Sequence, residues 1–386
     1  MKKIVFLYPN LTELAGTERV LIDKANYLAE YADYDIAILT YEHGTHPIAY
    51  PISTKIKHID LNICFYQLYR HNRLTRLAKL IQLKRLLQKR YNSFINDFQP
   101  DIVTTFTYYI DALRIVAKCP SNYVRILESH VDKSFLLDKD PTASRDYITR
   151  LRLWYESTGV DHYAKQFDIL VALTQHDADN WARYLNTTII TNMINTKKAK
   201  SLCQLENKRV IFAGRYAPEK GIYELFKIWE IVNRKHPDWH LDLYGSGPLH
   251  DELEAMSKHK DINIHINKPV SDIYQEYSRC SIFVLCSVYE TFGLVLAEAM
   301  SCGLPVVSFD SPFGPRQIIT DGVDGFLIPN RDIQLFASRI CELIESKFLR
   351  KKMGIAAIKS SKRFDSEHII PKWIELYDCL CNKFRK

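Results

Sequence analysis

Apolar residues in this chain come as short unbroken runs separated by stretches of helical spacing, and the pattern begins at the first residues. Ile4, Val5, Phe6, Leu7 and Tyr8 form one such run, and the spacing predicts strands over 4–8, 35–39, 102–105, 123–128 and 169–173, with a helix over 17–31. The second half continues with strands over 210–213, 239–244 and 282–286. A helix over 222–232 carries Ile222, Leu225, Phe226, Trp229 and Val232 on one face, and another helix follows Gly293. Strands alternating with amphipathic helices are the mark of a parallel sheet covered by helices. At 386 residues, 47% of them apolar, the chain is too long for one ordinary core and can bury two, of about 150 to 200 residues each. The break falls between 192 and 207, where a polar stretch over 196–201 precedes the strand at Val210. Domains over 1–195 and 208–366 are expected. No solenoid repeat or low-complexity tract interrupts them.

The densest chemistry lies over 281–304. There a buried strand feeds a loop with Glu290, Thr291 and Phe292, then Gly293 and a helix that Gly303 and Pro305 close. Backbone N–H groups of Phe292, Gly293 and Leu294 leave the helix start unpaired, and with the helix dipole behind them they suit a phosphate or diphosphate. Glu290 stands in the loop and Glu298 inside the helix. Their separation excludes a stacked pair on one face, so their roles differ. Each carboxylate can accept two hydrogen bonds from vicinal sugar hydroxyls; a solvated Glu298 and a capping Glu290 are the plainer alternatives.

Two further loops point the same way. The strand over 210–213 ends in Gly214 and Arg215, with Lys220 and Gly221 before the next helix, so a guanidinium fork and an ammonium are offered to one diphosphate. The strand over 239–244 ends in Gly245, Ser246, Gly247 and Pro248, and a helix is expected from Pro248. A dinucleotide fingerprint would need a third glycine where His250 stands, and it belongs in the first βαβ unit, so nicotinamide chemistry fits poorly. Gly245 and Gly247 are read instead as allowing close backbone approach, either to a ligand or within a tight turn.

The ordered set, Gly214-Arg215 with Lys220-Gly221, Tyr244-Gly245-Ser246-Gly247-Pro248, Glu290-Thr291-Phe292-Gly293-Leu294 running to Glu298-Ala299, Gly303-Leu304-Pro305-Val306-Val307, and Asp321-Gly322 with Gly325-Phe326, resembles the retaining glycosyltransferases of family 4. Before residue 209 the likeness rests on Gly16-Thr17-Glu18-Arg19 and Glu128-Ser129-His130. The resemblance implies the GT-B architecture: two Rossmann-like α/β domains, ligand between them, and a last helix, here 367–386, crossing back to the first domain. It also implies transfer of a hexosyl unit from a nucleotide diphosphate sugar, a UDP-sugar, to a lipid-linked or saccharide acceptor in bacterial surface polysaccharide assembly. By that resemblance Glu290 holds the donor sugar's hydroxyls, Glu298 the ribose and His130 the sugar's far edge. Arg215, Lys220 and the N–H groups of Phe292, Gly293 and Leu294 stabilise the departing diphosphate, and Gly16 and Thr17 form the loop near it. No cofactor and no metal are implied. Thr17 stands where the family commonly has a second glycine, and Gln317 where a glutamate is frequent. A sugar-nucleotide epimerase or a non-catalytic sugar-nucleotide binder on the same fold is the alternative.

Charge and cysteines narrow the setting. The net charge of +7 concentrates over 70–90, where Arg70, Arg73, Arg76, Lys79, Lys84, Arg85, Lys89 and Arg90 occur without an acid, interleaved with Leu74, Leu77, Leu80, Ile81 and Leu87 at helical spacing. A basic amphipathic helix of that kind suits an anionic membrane surface, an ordinary helix with a solvated basic face being the alternative. No nucleic-acid motif accompanies it. Nine scattered cysteines without a C-x2-C pair fit a reducing, cytoplasmic setting, peripheral at the inner face of the plasma membrane. The first residues are too short an apolar run for a signal peptide, and no segment has the roughly 18 apolar residues that span a bilayer. The D-x-D triplets at 33–35, 138–140 and 177–179 are read as loop or helix residues rather than cation ligands.

Overall fold

Parallel strands buried on both faces demand continuous apolar runs, and those runs form the centre of two sheets. The computed structural model describes residues 1–13, 15–70, 72–133, 158–196, 199, 202–259 and 262–384. The chain divides into two compact units, Met1–Thr191 with Ile370–Lys386, and Asn192–Ile369.

The first unit holds a seven-stranded sheet in the order β3-β2-β1-β4-β5-β6-β7, parallel at every pairing. Its strands are β1 (Lys2–Leu7), β2 (Tyr34–Thr40), β3 (Lys57–Asp60), β4 (Ile102–Phe106), β5 (Val124–Ser129), β6 (Ile169–Ala172) and β7 (Thr187–Ile189). Ile4 pairs with Ile36 on one side and Ile102 on the other. Helices α1 (Gly16–Tyr31), α2 (Arg73–Phe98), α3 (Ile110–Ala117) and α4 (Gln175–Trp181) flank it. Leu87, Tyr91 and Ile95 of α2 join Leu113 and Val116 of α3 over Val5 and Leu7 in one core.

The second unit repeats the scheme with six strands, β10-β9-β8-β11-β12-β13, again all parallel. They are β8 (Arg209–Ala213), β9 (His240–Tyr244), β10 (Ile264–Asn267), β11 (Ile282–Leu285), β12 (Val306–Phe309) and β13 (Gly325–Ile328). Helices α5 (Ile222–Lys235), α6 (His250–His259), α7 (Ile273–Ser278), α8 (Leu294–Ser301) and α9 (Gly314–Ile318) connect them, and α10 (Ile333–Glu345) and α11 (Lys347–Ser361) follow the last strand. The strand order reverses between β8 and β11, as it does between β1 and β4, and loops at the carboxyl ends of such neighbours splay apart to form ligand crevices. The last helix, α12 (Ser366–Phe384), starts in the second unit and belongs to the first from Ile370.

Two expectations need correction. The helix expected at Pro248 starts at His250, because the Leu249 N–H bonds Tyr216 O at 3.1 Å and the His250 N–H bonds Gly247 O at 3.1 Å, making 247–250 a turn docked on the loop after β8. Of the D-x-D triplets, Asp35 lies in strand β2 rather than a loop or helix, and Lys57 on the neighbouring β3 pairs with it at 3.1 Å. Asp177 and Asp179 sit on α4, whereas the triplet at 138–140 is outside the described residues.

Candidate functional site

The carboxyl ends of β8 and β11 bring together the residues of strongest chemical interest. After β8 a short turn, Pro218–Lys220, ends at Gly221 in the left-handed region, φ +65°. A β-carbon on Gly221 would lie 1.9 Å from the Cys286 carbonyl oxygen, so only glycine lets this turn press against the end of β11. That approach carries Lys220 to Glu290: Lys220 Nζ is 2.7 Å from Glu290 Oε2, and Ser287 Oγ donates to the same oxygen at 3.1 Å. Both side chains are mostly buried, 23% and 16% exposed. Arg215 does not join them; its guanidinium is 67% exposed and 3.8 Å from Glu219.

The backbone under Glu290 is held tightly. Its carbonyl accepts the Gly314 N–H at 2.9 Å, and a β-carbon on Gly314 would stand 2.3 Å from Phe292 O. Phe313 beside it adopts φ +83°, ψ −80°, a strained γ-turn geometry of the sort concentrated at functional sites. Gly293, at φ +92°, caps α8, and among the described residues the N–H groups of Phe292, Gly293 and Leu294 meet no acceptor. The Phe292 ring is buried, edge-on to Phe364 at 5.3 Å. Glu298 is no solvated helix residue. It is 2% exposed within an otherwise apolar stretch of α8, where a carboxylate requires partners.

Gly245 and Gly247 serve the neighbouring loop. β-Carbons there would lie 1.9 Å from Gly214 O and 2.4 Å from Tyr216 O, and the two loops are zipped by Gly214 N–H to Tyr244 O (3.0 Å) and Tyr216 N–H to Ser246 O (2.8 Å). Close packing of chain on chain thus accounts for both glycines.

In the first unit α1 begins at Gly16 without a side-chain cap. Thr17 shares a side-chain hydrogen bond with Tyr108, and Glu18 is buried and accepts from Tyr8 Oη at 3.0 Å. Tyr108 and Tyr109 Oη each lie 3.2 Å from Tyr8 Oη, and burial raises the Glu18 carboxyl. His130 follows β5, and its Nε2 lies 3.1 Å from Glu128 Oε2, with the imidazole 5% exposed. The other Glu128 oxygen pairs with Lys24 of α1, whose ammonium sits 3.8 Å over the Trp373 ring of α12. Burial alone would raise the Glu128 carboxyl, but Lys24 and His130 outweigh it and hold it below the usual carboxylate range. The turn after His130 is pinned by the Lys133 N–H to Asp177 at 2.9 Å, and burial pushes Asp177 up to about 6.

Comparisons with known proteins fit this geometry. Residues 193–360, which hold Lys220, Glu290 and Glu298, match the profile of the family described as glycosyl transferases group 1. That stretch lies wholly within the second unit. Over the whole chain, an uncharacterized glycosyltransferase of Haemophilus influenzae is 28% identical, covering 97% of this chain and 99% of the relative. The amylovoran biosynthesis glycosyltransferase AmsD of Erwinia amylovora is 26% identical over the same shares. Among solved structures, S. aureus TarM bound to UDP, fondaparinux and α-GlcNAc-glycerol aligns with a TM-score of 0.77 at 16% identity, over 98% of this chain and 100% of that one. Sucrose-phosphate synthase from Thermosynechococcus elongatus aligns at 0.78 and 18% identity, over 98% and 99%. These likenesses give the fold: two Rossmann-like α/β domains of GT-B type.

In the second unit one contributor escaped the sequence. Arg331 donates to the carbonyls of Cys286 and Ser287 at 3.1 Å each, pairs with Glu224 at 3.1 Å and stacks over Phe309 at 4.4 Å. It clamps the end of β11 from which the Glu290 loop departs. No motif marks it, because its partners come from three other elements. Lys24 was equally silent as a member of a helix, Tyr8 was legible only as part of an apolar run, and nothing marked Tyr108 or Tyr109.

Proposed function

We propose that this protein is a retaining glycosyltransferase that moves a hexosyl unit from a UDP-sugar to a hydroxyl of a lipid-linked or saccharide acceptor in the assembly of a bacterial surface polysaccharide. One observation carries the reading: the Lys220–Glu290 pair stands at the strand-order reversal of the unit that matches the glycosyl transferases group 1 profile, in the same loop as the unbonded N–H groups at the start of α8. The amylovoran role of the Erwinia relative supports the pathway class. The UDP in the TarM complex, and the UDP-glucose in that of Anabaena HepE, TM-score 0.70, support the donor.

Charge develops on the diphosphate as the glycosidic bond opens, so stabilising that leaving group is the main catalytic task. Lys220, Arg215 and the three N–H groups supply it. An arriving diphosphate takes Lys220 from Glu290, which frees the carboxylate to accept the sugar's hydroxyls; Glu298 reads the ribose. His130, Gly16 and Thr17 serve the sugar's far edge and the acceptor side. A phosphate oxygen of the donor takes the acceptor proton during front-side attack, and no protein nucleophile is needed. Calorimetric titration with UDP tests the phosphate assignment. Arg215→Ala with Lys220→Ala weakens UDP binding about tenfold or more, because both groups meet ground-state charge. Undiminished affinity would place the phosphates elsewhere.

The acceptor's setting is read from α2. Lys84 is drawn to Asp111 at 3.0 Å, and Arg90 donates to the carbonyls of Leu61 and Asn62, so those cations are spent inside the unit. Arg76, Lys79, Arg85 and Lys89 are exposed, and so are Leu77 (60%) and Ile81 (46%), one turn apart. Exposed leucine and isoleucine among cations suit the interface of an anionic membrane better than a solvated face. Each such cation contributes about 1 kcal/mol near that surface. No helix among the described residues is long and apolar enough to cross a membrane. In liposome sedimentation, wild type pellets with anionic vesicles and is released at high salt, whereas a variant with Arg76, Lys79 and Arg85 as Gln and Leu77 as Ser stays in solution. Equal sedimentation of both proteins would make α2 an ordinary surface helix.

A further inference from the structure

Strand β9 carries a second polar cluster, at its amino-terminal half and so away from the glycine loop that leaves its other end. His240 and Asp242 alternate with Leu241 and Leu243, both fully buried, so the two polar side chains share one face of the strand. His265 on the edge strand β10 is the register partner of Asp242. Its Nδ1 lies 3.0 Å from Asp242 Oδ1, His240 Nε2 lies 3.8 Å from Asp242 Oδ2, and one ligand atom from each residue falls within 4.8 Å of the other two.

We propose that His240, Asp242 and His265 bind one divalent transition-metal ion of the zinc class. Two imidazoles and a carboxylate suit Zn2+, Co2+ or Ni2+ rather than the all-oxygen shells of Ca2+ or Mg2+. Ligand atoms about 2.0–2.2 Å from a common ion stand about 3 to 3.5 Å from one another. The His265–Asp242 pair already meets that spacing, and a small turn of the partly exposed His240 ring brings the third ligand in. The β9–β10 ladder fixes the backbone of all three residues, so little ordering is left for the ion to impose. His265, 59% exposed, leaves a way in from solvent and room for water as a further ligand.

Charged neighbours among the described residues take part. Arg209 Nε donates to Asp242 Oδ2 at 2.8 Å, which fixes the carboxylate and leaves Oδ1 for the ion, the orienting role of a hydrogen-bonded outer partner. Arg209 is itself compensated, with Nη2 3.9 Å from Glu276, which also accepts from Tyr244 Oη at 2.7 Å and Arg279 at 2.8 Å. A mere counter-ion role for Asp242 would account for Arg209 and His265 but not for His240, whose Nε2 is beyond hydrogen-bond distance. The bound ion clips the four-residue edge strand β10 to β9, a structural role separate from sugar transfer.

The test is calorimetric titration of full-length, tag-free, chelator-stripped protein with ZnCl2, with Co2+ absorption as a spectroscopic second readout. Wild type takes up one ion per chain, and its thermal midpoint rises with zinc. Outer-partner changes alone typically cost about 10–100-fold in metal affinity, so His240→Ala or His265→Ala, each losing a ligand, weakens binding by at least that much. The His240→Ala, His265→Ala double variant, folded by circular dichroism, shows neither uptake at this site nor a zinc-dependent midpoint. Absence of stoichiometric uptake by wild type overturns the proposal, as does equal uptake by the double variant, which would assign the ion to other groups such as the exposed Cys379.

Discussion

Exchanging Glu290 for glutamine lowers turnover at saturating donor by about a hundredfold, equivalent to about 2.7 kcal/mol of lost transition-state stabilisation. Gln keeps the shape of the side chain and one acceptor oxygen for Lys220 and Ser287, so the loop's geometry survives. The backbone bond from Gly314 N–H to Glu290 O and the packing of Phe292 on Phe364 are untouched, so the thermal midpoint moves little. What is lost is a charged acceptor that strengthens its hold on sugar hydroxyls as the ring gains positive character. Steady-state kinetics beside a melting curve decide the matter. A near-normal turnover would remove Glu290 from the catalytic set.

A larger effect on stability is expected at Lys24, which no motif identifies. Lys24 and Glu128 are each 2% exposed, and Lys24 lies between the Phe6 and Trp373 rings. Removing one member of such a pair strands the other charge in a dry site, which costs about 3–5 kcal/mol. Lys24→Met and Glu128→Leu each destabilise by that order, whereas the double variant recovers most of the loss, because neither charge is left alone. A denaturation double-mutant cycle measures this coupling. Additive losses would show that the two side chains act independently. Since Glu128 also holds His130 at 3.1 Å, the same single variants reduce transfer more than their remaining folded fraction explains.

How far the fold was legible follows from which faces are buried. β1, β8 and β11 are covered on both sides and each holds a continuous apolar run, whereas β4 and β5, nearly as buried, admit Thr104, Thr105, Arg125 and Glu128. The strands that left no clear signal include the edges: β3 (Lys57–Asp60) alternates exposed and half-buried positions, β7 has three residues and β10 carries His265 and Asn267. Edge strands need fewer apolar residues, so their patterns merge with loops. Lys220 and Glu290 were singled out by type and by the loops they occupy, yet their pairing across 70 residues depends on β8 and β11 being neighbours, and that is a property of the sheet. The Lys24–Glu128 pair spans 104 residues and offered no loop to mark it. Gly221 shows the middle case. Its glycine was visible, but the reason for it, the Cys286 carbonyl 1.9 Å from any β-carbon, belongs to the folded chain.

The central claim is transfer of a sugar, and it is tested most directly by incubating the purified chain with UDP- and GDP-sugars, with and without a membrane extract containing acceptors. Free nucleotide and the anomeric configuration of new glycan are then measured together. The account predicts nucleotide release that depends on the extract, favours UDP-sugars and accompanies a product with the donor's anomeric configuration. Conversion of the donor to another sugar nucleotide without acceptor, or tight UDP binding with no turnover under any condition, would contradict it.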